Sequence, residues 1–139
     1  MDGLQSQMTS NPTSIAQRAA VAALIGDQEP TRRMCQEFAA RRRTILDRLT
    51  AMPGVRCASP EGAFYVFPNV SALYGKRADG SLITNSTEIA AYLLEAARIA
   101  VVPGVEFGSD AHIRISYATS MAAIERGMDR MAEALARLR

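Results

Sequence analysis

The sequence is sparing with the side chains that do chemistry unaided. It holds two cysteines, one histidine and one lysine. A metal centre needs several imidazole, thiolate or carboxylate groups converging on one point. His112 is alone, and Cys35 and Cys57 stand too far apart for a zinc spacing or a disulfide framework. Both read as reduced thiols of a cytoplasmic chain, with Cys35 packed on a helix face. Lys76 is the single side-chain amine, because arginine supplies the rest of the sixteen basic residues and keeps its proton at working pH. It falls in a polar, glycine-containing loop and reads as exposed. No apolar run is long enough to span a bilayer. The opening "MDGLQSQMTS" has neither a basic start nor an apolar centre and does not read as a signal peptide. The net charge of +2 is too small to argue for nucleic acid or an anionic membrane as partner.

What is present suits a globular chain. The 139 residues are 48% hydrophobic and 22% charged, enough for one core without disulfide or metal, in one domain or a piece of a larger one. The stretch "LQSQMTSNPTS" is polar and turn-rich. Residues 14–25 read as an alanine-rich helix with Ser14 and Gln17 at capping-box spacing and Gly26 at its stop. Its faces are nearly all apolar, so it reads as sandwiched between other elements. A long second helix follows, with Met34, Phe38, Ile45, Leu49 and Met52 at helical steps and Pro53-Gly54 at its end. Its apolar stripe is interrupted by "RRR" at 41–43, which reads as a solvated face paired with Glu37 and Asp47. A stripe that fades midway suggests a helix bridging two packing environments.

"VRCASPEGAFYVFPNV" reads as two short strands around a Pro-Glu-Gly turn, and 71–84 as loop. A helix capped by Asn85, Ser86 or Thr87 presents Ile89, Tyr92, Leu93 and Ala96 inward. "IAVVPGVEFG" reads as a buried strand, a Pro-Gly turn and a further extended piece, and "HIRISYA" as a strand. Met121, Ile124, Met128, Met131, Leu135 and Leu138 form one apolar stripe along a terminal helix, a core face rather than a soft binding surface. The expected class is α/β in the sense of an α+β layer: a small, mostly antiparallel sheet covered by helices and preceded by a long bridging helix.

Arg114 is the sharpest functional candidate. Ile113 and Ile115 point into the core, so Arg114 points away from it, and a guanidinium fork can grip a carboxylate with two parallel hydrogen bonds. An arginine on a solvated sheet face is the plainer alternative. Gly62 permits a tight turn before Ala63 and Phe64, and Phe64 either lines a pocket or packs as an ordinary strand residue. Ser10 and Asn11 stand before a helix start, where anions are favoured, although such loops usually only cap. Pro103, Gly104 and Gly108 shape either a ligand-facing loop or a plain turn.

Taken together and in order, "TSNPTSIAQ", "EGAFYVFPNV", "IAVVPGVEFG" and "HIRISYATS" before a terminal helix resemble the C-terminal third of the aspartate-type aminotransferases, fold-type-I enzymes that use pyridoxal phosphate. The resemblance implies that residues 1–30 end the large cofactor domain and that 31–139 form the small domain with the bridging helix. It implies that Arg114 grips the α-carboxylate of the substrate, that Phe64 borders the substrate pocket, and that Ser10 and Asn11 lie near the active site or the subunit interface of a homo-oligomer. It implies a loop from Pro103 to Gly108 close to Arg114. Amino acids and 2-oxo acids would be the complete enzyme's substrates. The family's Schiff-base lysine, the residues that tune the cofactor ring and the helix start that holds its phosphate belong to motifs this chain does not contain, and Lys76 lies in none of them. The expectation is therefore a carboxylate clamp without a catalytic residue, binding no pyridoxal phosphate and inactive on its own. A stand-alone carboxylate-binding module and a non-catalytic interaction or structural fragment are the alternatives.

Overall fold

The computed structural model describes residues 2–78 and 80–139; Met1 and Asp79 lie outside the described residues. The chain falls into two compact units, Met1–Gln36 and Glu37–Arg139. The division lies inside one helix.

In the first unit, α1 (Asp2–Thr9) forms where turns were expected. Helix α2 (Ser14–Ile25) occupies the expected span, but its N-cap is Thr13 rather than Ser14. The Thr13 hydroxyl accepts the Ala16 amide at 3.3 Å, and Gln17 turns back to donate to the Pro12 carbonyl at 2.8 Å. The helix buries none of its residues. Ile15, Leu24 and Ile25 are 80% exposed or more, so the sandwiched helix expected from its composition has no cover here. The long α3 (Glu29–Thr50) begins in this unit. Met34 and Cys35 are both exposed on it, so Cys35 is not packed on a helix face.

The second unit holds the core. The later part of α3 delivers Ile45 and Leu49, with Met52 just beyond its end. The expected solvated "RRR" face is only partly so. Arg41 lies over the Phe38 ring at 5.1 Å, and Arg42 donates to the Pro60 carbonyl at 2.8 Å. The sheet is antiparallel, in the order β1 (Tyr65–Val66), β5 (Ile113–Ser116), β4 (Val102–Pro103). Its register pairs Tyr65 with Ser116, Val66 with Ile115 and Val102 with Arg114. The first of the two strands expected in 55–70 does not form; only an isolated bridge joins Arg56 to Asn69. The segment read as loop, Asp79 aside, contains a 3-10 turn (Ser71–Leu73) and a hairpin of β2 (Arg77–Ala78) and β3 (Ser81–Leu82).

Helix α4 (Ser86–Ala97) is capped by Asn85, whose side chain accepts the Glu88 amide. It packs on β4 and on α5 (Met121–Ala136). Its buried face is Ile89, Ala90, Leu93 and Ala97; Ala96, expected inward, is exposed. The α5 stripe of Ile124, Met128, Met131 and Leu135 is buried as its spacing predicts, and Leu138 beyond the helix joins it. These helical faces meet Ile113, Ile115 and Tyr117 in one cluster. Strand alternation then leaves His112, Arg114 and Ser116 on the other sheet face.

Candidate functional site

That open face of the sheet carries a row of rings with one cation in it. Tyr65 and Phe67 alternate with the buried Val66 and so share the face of Arg114. The Arg114 guanidinium carbon lies 5.3 Å from the centre of the Tyr65 ring and 4.3 Å from that of Phe107. Both distances are within cation–π range. Phe107 meets Phe67 edge-on at 6.1 Å, and Phe67 stacks on His112 at 4.7 Å. At the other end, Phe64 stands edge-on to Tyr65 at 6.1 Å and is 53% exposed.

Arg114 is half-buried. Among the described residues its guanidinium forms no ion pair and donates no hydrogen bond. Rings do not satisfy N–H donors, so the fork is held in place with its donors open. A planar carboxylate can meet two of them together, which a point-charge ammonium could not offer.

The loops on either side each contain a sterically demanding turn. The tight turn that Gly62 permits carries its left-handed residue at Ala63, with φ 59, on a side chain that rarely takes it. Tyr117 holds it there: its hydroxyl donates to the Ala63 carbonyl at 3.0 Å, and its amide to that of Phe64 at 2.9 Å. On the other side, residues Gly104–Phe107 form a 3-10 turn rather than the expected extended piece. Gly104 packs so tightly that a Cβ would stand 2.2 Å from the His112 carbonyl oxygen. Only glycine fits there. Two hydrogen bonds from Ser86 hold the Asp110 carboxyl below the usual carboxylate range.

Of the residues read from the sequence, Arg114 and Phe64 lie along this row. Ser10, at φ 56, and Asn11 are exposed residues of the first unit. Tyr65, Phe67 and Phe107 were not singled out. Period-2 spacing from Val66 was the available signal for the first two; for Phe107 it was the Pro103–Gly108 loop that the resemblance sets close to Arg114, which names the loop but not the ring. Lys76 is not the exposed loop residue it resembles. It is half-buried on the wall of a mostly apolar cavity of about 480 Å³ with Leu73, Leu135 and the Arg48–Asp129 ion pair. Pyridoxal phosphate needs an amine beside its carbonyl, and the one lysine stands in this cavity, which shares no lining residue with the Arg114 face. The residues present do not fit the cofactor. No described group of His, Cys, Asp and Glu is arranged to hold a metal ion, and no described helix is long and apolar enough to cross a membrane.

Residues 1–131 match the family model of aminotransferase class I and II. An aspartate aminotransferase of Geobacillus stearothermophilus is 46% identical over 134 residues, which are 94% of this chain and 32% of that protein. One from Rhizobium meliloti (strain 1021) is 45% identical over 136 residues, 97% and 33% of the two chains. The solved aspartate aminotransferase from Rhizobium meliloti superposes with a TM-score of 0.92 at 44% identity, over 98% of this chain and 34% of that one. An alanine aminotransferase from Pyrococcus furiosus gives 0.81 at 27% identity, over 94% and 32%. The chain spans about a third of the length of the curated relatives it matches.

Proposed function

This chain belongs to the class I and II aminotransferases, and we propose that it supplies the substrate-carboxylate clamp of an aspartate-type enzyme, the chemistry residing in polypeptide outside these 139 residues. The observation that carries the reading is the Arg114 fork, walled by Tyr65 and Phe107 with its donors unengaged. Arg114 binds the carboxylate of an amino acid or 2-oxo acid and fixes its orientation, which is the part of catalysis that positioning contributes. Phe64 borders the same substrate, at the end of the ring row. On the same reading, Ser10 and Asn11 serve the active site or subunit interface of the assembled homo-oligomer. In the complete enzyme, pyridoxal phosphate would supply the amino-group chemistry; no step through it is derived from this chain.

The test is a titration of the chain with succinate and with L-aspartate, followed by calorimetry and by the Arg114 Nε–Hε resonance. Saturable binding that Arg114→Ala abolishes, and that Arg114→Lys weakens about tenfold or more through loss of the bidentate fork, supports the clamp. No binding, or equal binding by the alanine variant, removes it. A parallel incubation with pyridoxal phosphate and borohydride is expected to leave Lys76 unlabelled. A stoichiometric label there would overturn the assignment of the chemistry to other polypeptide.

A further inference from the structure

Phe107 covers the Arg114 guanidinium, yet it is 46% exposed, so the core does not fix its ring. Its ring rests edge-on against Phe67, and the backbone of its turn sets where that ring stands. One end of that turn is tied to the residue just before β5, through the Gly104 amide on the His112 carbonyl at 2.8 Å. The other tie runs through a side chain that the clamp itself does not touch. Ser86, the first residue of α4, is fully buried. Its hydroxyl donates to the Asp110 carboxylate at 2.6 Å and accepts the Val105 amide at 3.2 Å; its own amide donates to the same carboxylate oxygen at 2.9 Å. Tyr74 donates its hydroxyl to the Asp110 carbonyl. One buried oxygen thus grips the turn at Val105 and, through Asp110, just past it, and Phe107 stands between the two grips.

We infer that Ser86 and Asp110 are positioning residues for Arg114, acting through Phe107: they hold the ring that keeps the guanidinium fork in its carboxylate-binding orientation. The inference rests on the clamp reading for its consequence, while its geometric part stands by itself. Without the Ser86 hydroxyl, the Val105 amide loses its acceptor and Asp110 keeps only one of its two bonds. The turn relaxes, the ring leaves the guanidinium, and the donors sample many orientations rather than one.

The experiment reads two signals on the 139-residue chain: the chemical shift of the Arg114 Hε proton, which the Phe107 ring current moves upfield, and the dissociation constant for succinate. Phe107→Leu calibrates the loss of the ring. Ser86→Ala is expected to lose most of that upfield shift and to weaken succinate about tenfold. The double variant should be no weaker than either single one, since both act on the same ring. Asp110→Ala, at an exposed position, gives the same pair of changes if Ser86→Ala fails to fold. Asp110→Asn, whose amide oxygen can accept both Ser86 bonds, recovers most of each. A folded Ser86→Ala or Asp110→Ala chain with the Hε shift and affinity of the parent overturns the inference. If the parent binds no succinate, the clamp reading has failed, and the Hε shift alone still decides whether Ser86 and Asp110 position the ring.

Discussion

Arg114 and Arg41 both lie over a ring, but among the described residues only Arg41 also has a carboxylate beside it. Arg41 has Glu37 at 3.9 Å beside its ring contact, whereas Arg114 has rings alone. Its outward direction was readable, because Ile113 and Ile115 flank it at strand spacing and both are buried. Its walls were only half readable. Tyr65 follows from alternation; for Phe107 the resemblance set only its loop near Arg114, and a 3-10 turn then carries the ring back over the sheet. Tyr74, which supports that turn, provides a pH signature. Burial and the nearby Asp110 charge push its pKa up to about 12, above an ordinary value near 10. The fold therefore favours the neutral phenol. The stabilisation is complete below pH of about 10 and is lost as pH rises towards about 12. In an alkaline titration one tyrosine is expected to ionise about two units late, and Tyr74→Phe should remove that transition. Asp110 behaves oppositely. Its depressed pKa stabilises the fold above the ordinary carboxylate value, and this contribution is lost as pH falls below it.

Most helices were legible, α1 excepted, and so were the segments of β1, β4 and β5, whereas the β2–β3 hairpin and the strand ends were not. A helix carries its own hydrogen bonds and announces its buried face at three- and four-residue steps, which is why α3, α4 and α5 fall where expected. The two-residue strands are held only by the partner alongside, so their lengths, and in a polar segment such as 77–82 their existence, leave little trace in hydrophobic spacing. The termini of α4 permit a quantitative check. At its start, the Asn85 cap and the Glu88 carboxylate, which accepts the Thr84 amide and hydroxyl, form a reciprocal pair. Asn85→Ala should cost about 1 kcal/mol. At its end, Arg98 takes φ 54 to place its amide on Leu93 and Leu94, a conformation that costs a side chain about 1 kcal/mol. Arg98→Gly should stabilise by about that amount. Denaturant unfolding measures both; equal stability of either variant and the parent would contradict the assigned cap.

At the level of the whole chain, the first unit presents apolar surface that nothing among its residues covers. Ile15, Leu24 and Ile25 are exposed on α2, and Leu4 and Met8 on α1. Large apolar side chains left this exposed favour burial against other polypeptide. It accords with a chain spanning about a third of its relatives' length. Light scattering of the isolated chain is expected to show concentration-dependent association, reduced in a Leu24→Glu, Ile25→Glu variant. A clean monomer at high concentration would exclude association through that surface.

The spans of α2 to α5, the buried stripe of α5, the outward direction of Arg114 and the family were written in the residues, since period, capping and motif are local properties. Which rings would wall the guanidinium, that Ser86 would grip the turn bearing one of them, and that Lys76 would line a separate cavity were decided only when segments distant in sequence were packed together. Hydrogen bonds and ring contacts of that kind depend on distances between residues that sequence spacing does not set.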